Sequence, residues 1–467
     1  MSKVRRVALS AGLVLAVGAA VAIPSSAAPT TRARSAGNHA HGPSPALRSM
    51  LREIDADRIQ SDIAKLVSFG TRHTLSSQTD PNRGIGAARD WIFDQLQGYA
   101  AASGGRMTVQ KQAFVQPAGP RNPTPVTVTN LVATLRGTQA ESADRVYVVS
   151  GHYDSRCTDV LNSTCDAPGA DDDASGVAAM LELARVMAKR QFDATIVFMA
   201  VAGEEQNLFG STFFAQQAKA AGMDVEGMFT NDIIGSSTSD KGRRDPFTVR
   251  LFSEGVPTTE TPAQAALRQS IGGENDGPSR QLARYVKEVG ENSATGMHVR
   301  LIWRRDRYLR GGDQIPFLQQ GYPAARFTEP AENFAHQHQD VRVENGQQFG
   351  DLLQFVDFAY TARVARVNGA ALANLAWAPT APKNAKIDTT QLTNDTTLNW
   401  DANPEPDLAG YEVVWRESTD PDWSHVIDVG DVTTTTIDLS KDNVQVGVRA
   451  VDRDGYRSPV AFPVPSA

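Results

Sequence analysis

Five short stretches of this 467-residue chain set imidazoles and carboxylates close together: "GHYDS" (151–155), "PGADDDASG" (168–176), "AGEEQ" (202–206), "TND" (230–232) and "FAHQHQD" (334–340). Three adjacent aspartates, Asp171, Asp172 and Asp173, repel one another, and a folded chain tolerates them only beside water or a cation. One explanation is a solvated loop whose last Asp or Ser caps a helix. The other is a metal site. His152, Asp154, Asp172, Glu204, Glu205, Asp232, His336 and His338 offer imidazole and carboxylate but no thiolate. That donor set suits zinc, with manganese or cobalt as alternatives. Two ions about 3.5–4 Å apart need a shared carboxylate, and an Asp at a helix start has an oxygen for each. No H-E-x-x-H helix and no G-x-S-x-G turn occurs, so a thermolysin-type zinc helix and a serine-hydrolase elbow are excluded.

The elements that would position these groups alternate along the chain. "DRVYVVSGHYD", "ATIVFMAVA", "GMFTNDIIG", "MHVRLIW" and "AARFTE" predict strands. "ASGVAAMLELARVMAKR", "FGSTFFAQQAKAA" and "SRQLARYVKEVGE" predict helices between them. A helical pattern runs from Pro45 to Phe69, another covers 84–102, and a last long helix is expected from about Asn345 to Trp377. Apolar strands between helices imply a sheet buried on both faces. The expected fold is therefore three-layer α/β/α with a mixed, mainly parallel sheet. The polar clusters follow predicted strand ends, where such sheets gather ligands. A helix N-terminus at Ala174 points to the same place.

The remaining segments bound the organisation. A basic start, "MSKVRR", an apolar stretch and a run of small residues predict a signal peptide over 1–27 and therefore secretion. Residues 28–45 are polar and Pro/Gly/Ser-rich, as expected of a flexible leader or pro-segment. An α/β domain would occupy 46–377. Beyond "WAPTAPKNAKI" only short alternating strands remain, so 378–467 is expected to form a small β-sandwich. The net charge of −7 argues against nucleic acid as a partner. Cys157 and Cys165 are the two cysteines, and in an exported chain so close a pair predicts a disulfide.

Taken together, "GHYDS", "PGADDDASGVAAMLELAR", "AGEEQNLFGS", "NDIIG" and His336-x-x-x-Asp340 resemble the secreted co-catalytic zinc aminopeptidases, whose relatives include carboxypeptidase Q-like enzymes and glutaminyl cyclases. The resemblance covers about Leu47 to Trp377. It implies two zinc ions and peptide or protein substrates. His152 and Asp232 would hold one ion, Glu205 and His336 the other, and Asp172 would bridge them. Glu204 would be the general base toward a metal-activated water, and Asp154 would orient His152. His338 is a rival to His336, set aside because His336 lies four residues before Asp340. Gly311 stands where some relatives have a substrate-contacting arginine, a role that Arg310 could take over. Amino-terminal cleavage is expected. Carboxypeptidase or dipeptidase action, glutaminyl cyclisation or a non-catalytic binding role are the alternatives. Trp400, Tyr411 and "VRAVDRDGYRS" resemble a fibronectin type III module, with Val444 where that family carries tyrosine. The resemblance implies either a binding or tethering module, to a surface or polysaccharide, or a stabilising appendage.

Overall fold

The computed structural model describes residues 42–466. The expected signal peptide and the leader up to residue 41 lie outside the described residues. Eight strands form the main sheet: β1 (Met107–Gln116), β2 (Val126–Leu135), β3 (Arg145–His152), β4 (Thr195–Val201), β5 (Asp224–Asn231), β6 (Thr248–Ser253), β7 (His298–Ile302) and β8 (Ala324–Thr328), in the order β1-β2-β4-β3-β5-β8-β6-β7. The central run β4-β3-β5-β8 is parallel, as is β6-β7. β1-β2, β2-β4 and β8-β6 are antiparallel.

Alternation along the central strands feeds two cores. Val146 and Val148 of β3, with Val197, Met199 and Val201 of β4, pack toward one face. Tyr147 and Val149, with Ile196, Phe198 and Ala200, pack toward the other. This period of two, apolar on both sides, is what a sheet between helical layers requires. The helices are α1 (Pro45–Arg52), α2 (Ala56–Val67), α3 (Ile85–Ala101), α4 (Ala174–Met187), α5 (Phe209–Ala220), α6 (Pro262–Ser270), α7 (Pro278–Gly290), α8 (Gln314–Gln319) and α9 (Phe358–Trp377). α5 and α8 cover the first face; α2, α3, α4, α7 and α9 cover the second. The expected three-layer α/β architecture is the fold observed.

Two helical expectations need correction. The pattern from Pro45 to Phe69 is broken at Asp55, whose carboxylate accepts the Asp57 N–H at 2.9 Å and caps α2. The long C-terminal helix starts at Phe358 and not near Asn345. Asn345 and Gly346 both have positive φ, 50° and 79°, and turn a small hairpin of 342–344 against 347–349. α9 begins only where Asp357 Oδ1 accepts the Tyr360 N–H at 3.0 Å.

After Trp377 a four-stranded and a three-stranded sheet share one core, built on Leu398, Trp400, Tyr411, Val413, Ile437 and Val448. These sheets are tied to α7 by buried charges. Arg416 Nη2 lies 2.8 Å and Arg284 Nη1 3.2 Å from the Asp276 carboxylate, and the Arg416 and Asp276 side chains are only 3% and 1% exposed. Arg449 pairs with Glu288 at 2.8 Å, and Trp423 Nε1 donates to Gln281. Removing one partner of a buried pair leaves an uncompensated charge. Asp276→Ala is therefore expected to lower stability by about 3–5 kcal/mol, read as a shift of the urea midpoint. An unchanged midpoint would show that the two arginines find other partners.

Candidate metal centre

The site forms where β3, β4 and β5 end and α4 begins. Two glycines allow these ends to meet. A Cβ on Gly151 would lie 2.5 Å from the carbonyl carbon of Gly176, and one on Gly176 would lie 2.2 Å from the Asn231 carbonyl oxygen. Only hydrogen fits at either place, so His152, the start of α4 and Asp232 are drawn together.

The three adjacent aspartates have three different surroundings. Asp173 caps α4: its Oδ1 accepts the Gly176 N–H at 2.9 Å and its Oδ2 the His152 N–H at 3.0 Å. Asp171 accepts the Gly235 N–H at 2.6 Å. Asp172 alone is left to the site. Its Oδ1 lies 3.0 Å from His152 Nε2, and its Oδ2 lies 2.9 Å from His338 Nε2. The solvated-loop explanation therefore holds in part for the cap but not for Asp172, which is 5% exposed.

Two groups of potential ligand atoms result, His152–Asp172–Asp232 and Asp172–Glu205–His338. Their geometry suits a cation better than mutual hydrogen bonding. His338 Nε2 is 2.8 Å from Glu205 Oε1, yet that buried oxygen has no hydrogen-bond partner. His338 Nε2, Asp172 Oδ2 and Glu205 Oε1 thus lie close enough together to share one ion. His152 Nδ1 faces the Asp154 carbonyl at 3.1 Å. A proton there leaves the Nε2 lone pair directed at the carboxylates, the tautomer a metal ligand needs. Tetrahedral ligands about 2.0–2.2 Å from zinc sit close to these separations.

The same crowding sets the protonation of the metal-free site. Burial acts to raise the Asp172 carboxyl, but His338 and His152 beside it outweigh this and hold it well below the usual range. Burial opposes charge on His338, but Glu205 and Asp172 prevail and push it up to about 10. Glu204, half-buried at the end of β4, is raised well above the usual carboxyl range by burial, with Asp232 and Glu205 adding to the effect against His152.

Most of the expected residues converge, with one correction. His336 is not in the cluster: its ring stacks on Phe355 at 3.5 Å between centroids. His338 takes that place, held at φ 51° in the left-handed region that few non-glycine residues occupy. Asp340, whose spacing had pointed to His336, instead exchanges hydrogen bonds with Thr158. Asp154 lies 3.6 Å from His152 Nδ1 and also accepts the N–H groups of Glu204 and Glu205. Arg310 is engaged with Glu332 at 2.8 Å. Arg72 is fully buried and donates to the carbonyls of Tyr153, Pro168 and Gly169, so it holds the loops around the site. Cys157 and Cys165 are disulfide-bonded.

Three residues were missed. Asp351 accepts the N–H groups of Asp171 and Asp172. Asp313 is buried with both carboxylate oxygens unpartnered. Arg326 lies 2.9 Å from Asp232. Only Arg326 carried a signal, a charge inside an otherwise apolar strand.

A buried cluster of imidazole and carboxylate at the strand ends of an α/β sheet defines a metal-dependent hydrolase site. Residues 130–345 match Peptidase family M28. A probable zinc metalloprotease from Pyrenophora teres f. teres (strain 0-1) is 54% identical over 426 residues, covering 91% of this chain and 88% of that protein. Another from Pyricularia oryzae (strain 70-15 / ATCC MYA-4617 / FGSC 8958) is 54% identical over 429 residues, covering 91% and 85%. The chain belongs to peptidase family M28 and is a zinc metallopeptidase. Among solved structures, LapA aminopeptidase of Legionella pneumophila aligns with a TM-score of 0.49 at 19% identity, covering 71% of this chain and 75% of that one.

Two outcomes are expected. His338→Ala lowers zinc content and His336→Ala does not, by elemental analysis of the purified variants; the reverse pattern would restore His336. Because His338 is protonated below about 10 in the metal-free protein, zinc must displace a proton, and its affinity rises with pH across the neutral range. Calorimetric titration at pH 7 in buffers of different ionisation enthalpy should show net proton release. No release would mean that His338 is already neutral.

Proposed function

We propose that the chain is a secreted aminopeptidase that works with two zinc ions. His152, Asp172 and Asp232 would hold one ion, and Asp172, Glu205 and His338 the other. The observation that carries this is the double engagement of Asp172, whose two oxygens face different histidines at 3.0 and 2.9 Å. Two donor sets favour a two-metal peptidase over a one-metal cyclase.

Zinc in such a site supplies Lewis acidity, polarising a carbonyl and making water a better nucleophile at neutral pH. Glu204 takes the proton from the attacking water and returns it to the leaving amine. Asp154 fixes base and ligands together, since its carboxylate accepts the Glu204 N–H at 3.3 Å and the Glu205 N–H at 3.1 Å while facing His152. Proton transfer and ligand placement therefore share one anchor.

Secretion is supported by the Cys157–Cys165 disulfide and the signal-like pattern of residues 1–27. The seven strands after Trp377 fit a fibronectin type III-like sandwich. Their buried ties to α7 support a bracing role over that of a loosely tethered binding module.

Elemental analysis should find two zinc ions per chain. Amino-acid anilides should be cleaved, amino-blocked peptides spared, and a chelator should abolish cleavage. One zinc per chain, or release of carboxy-terminal residues from blocked peptides, would overturn the proposal. Glu204→Gln should keep its zinc and lose turnover by about 100- to 10,000-fold. Normal turnover in that variant would remove Glu204 as the base.

A further inference from the structure

Arg326, in β8, is fully buried and faces one of the two donor sets. Its Nη2 lies 2.9 Å from Asp232 Oδ1. That is the oxygen that lies 3.9 Å from His152 Nε2. The guanidinium cannot swing away, because Nη1 donates to the Gly311 carbonyl at 2.9 Å and to Asp306 Oδ2 at 3.4 Å. Asp306 is itself fixed by the Arg307 N–H and by Gln314 Nε2.

The second donor set has a weaker counterpart. Arg156 Nε lies 3.4 Å from Glu205 Oε2, whereas it is Oε1 that faces His338. Its side chain is 18% exposed, against 0% for Arg326. Arg156 is thus farther away, better screened and on the other oxygen.

A permanent positive charge against a ligating carboxylate draws electron density from it and repels a dication in the same pocket, most strongly where water is excluded. We infer that Arg326 makes His152–Asp172–Asp232 the weaker of the two zinc sites, so that the chain is half-loaded when zinc is limiting. The inference rests on the two-zinc proposal above. Arg326 is a positioning residue that acts through Asp232 and touches no reacting atom.

The test is chelator competition on the full chain, resolving two stepwise zinc dissociation constants. In the wild type they should differ by about tenfold or more. Arg326→Gln should tighten the weaker, the opposite sign to the about 10- to 100-fold loss that removing a partner of a metal ligand usually causes, and leave the tighter unchanged. In a His338→Ala background, which keeps only the His152 set, the same substitution should tighten the remaining ion. If Arg326 only holds Asp232 in place, Arg326→Gln loosens zinc, and that sign overturns the inference, as does no change. Asp306→Asn gives an independent check should the Gln variant not fold. Losing the counter-charge leaves more of the guanidinium's field on Asp232, so the weaker site should weaken further; no weakening overturns the inference. Two constants that ignore both substitutions sink this inference alone. One bound ion per chain sinks the two-zinc proposal with it.

Discussion

Everything at this centre depends on Asp172 being held between two imidazoles with nothing else to do. Like charges crowd there: Asp171, Asp172, Asp173, Glu205 and Asp232 are all buried. Such a cluster survives folding only if most of its members are taken up by fixed donors. The backbone does much of this. Asp173 is absorbed by the start of α4 and the His152 N–H, and Asp171 by Gly235. Asp351 accepts the two N–H groups of Asp171 and Asp172 and so sets the course of the loop. Arg72 fixes its other side through the carbonyls of Pro168 and Gly169. Asp172 is what remains after its neighbours are satisfied.

The two donor sets differ in how they are supported. His152 and Asp232 sit at the ends of adjacent central strands, on the hydrogen-bonded middle of the sheet. His338 comes from the connection after β8 and needs a brace. The disulfide loop supplies one. Thr158 exchanges hydrogen bonds with Asp340, the Val160 carbonyl faces His73 Nε2 at 2.9 Å, and Arg156 lies beside Glu205. A ring closed by Cys157 and Cys165 thereby serves the loop-borne half of the site as well as the chain's stability, which a closure this short raises by about 3 kcal/mol at most.

These two kinds of support also decide what the sequence could reveal. Residues at strand ends were legible because period-two burial and abrupt polarity mark those ends without any knowledge of the fold: His152, Asp154, Glu205 and Asp232 lie where the apolar runs of β3, β4 and β5 stop. The β1–β2 pair and β6 were not legible: β1 is half-exposed, and β2 and β6, though largely buried, stand apart from the alternation of apolar strand and helix. His336 and His338 could not be separated by spacing. Two residues apart on irregular backbone, they diverge because His338 takes a left-handed turn and His336 stacks on Phe355. Asp340, two residues further on, is held by Thr158, far away in sequence. The beginning of α9 was misplaced for a related reason, as the hairpin before it is stabilised by two positive-φ residues and not by apolar pattern.

Long-range charge pairing was the least legible feature and has the widest consequences. Asp276 with Arg416, and Arg326 with Asp232 and Asp306, join residues 20 to 140 positions apart, and no local pattern announces them. In the first case the pairing locks the C-terminal sheets onto α7. In the second it places a cation beside a carboxylate already directed at a metal site. A buried pair of this kind contributes little net stability over well-packed apolar residues, so fold stability alone does not account for Arg326. Its position against Asp232, fixed by Asp306 and the Gly311 carbonyl, makes sense as control over how strongly that carboxylate can bind. The electrostatics of the centre are thus set from below the sheet ends as well as by the ligands themselves.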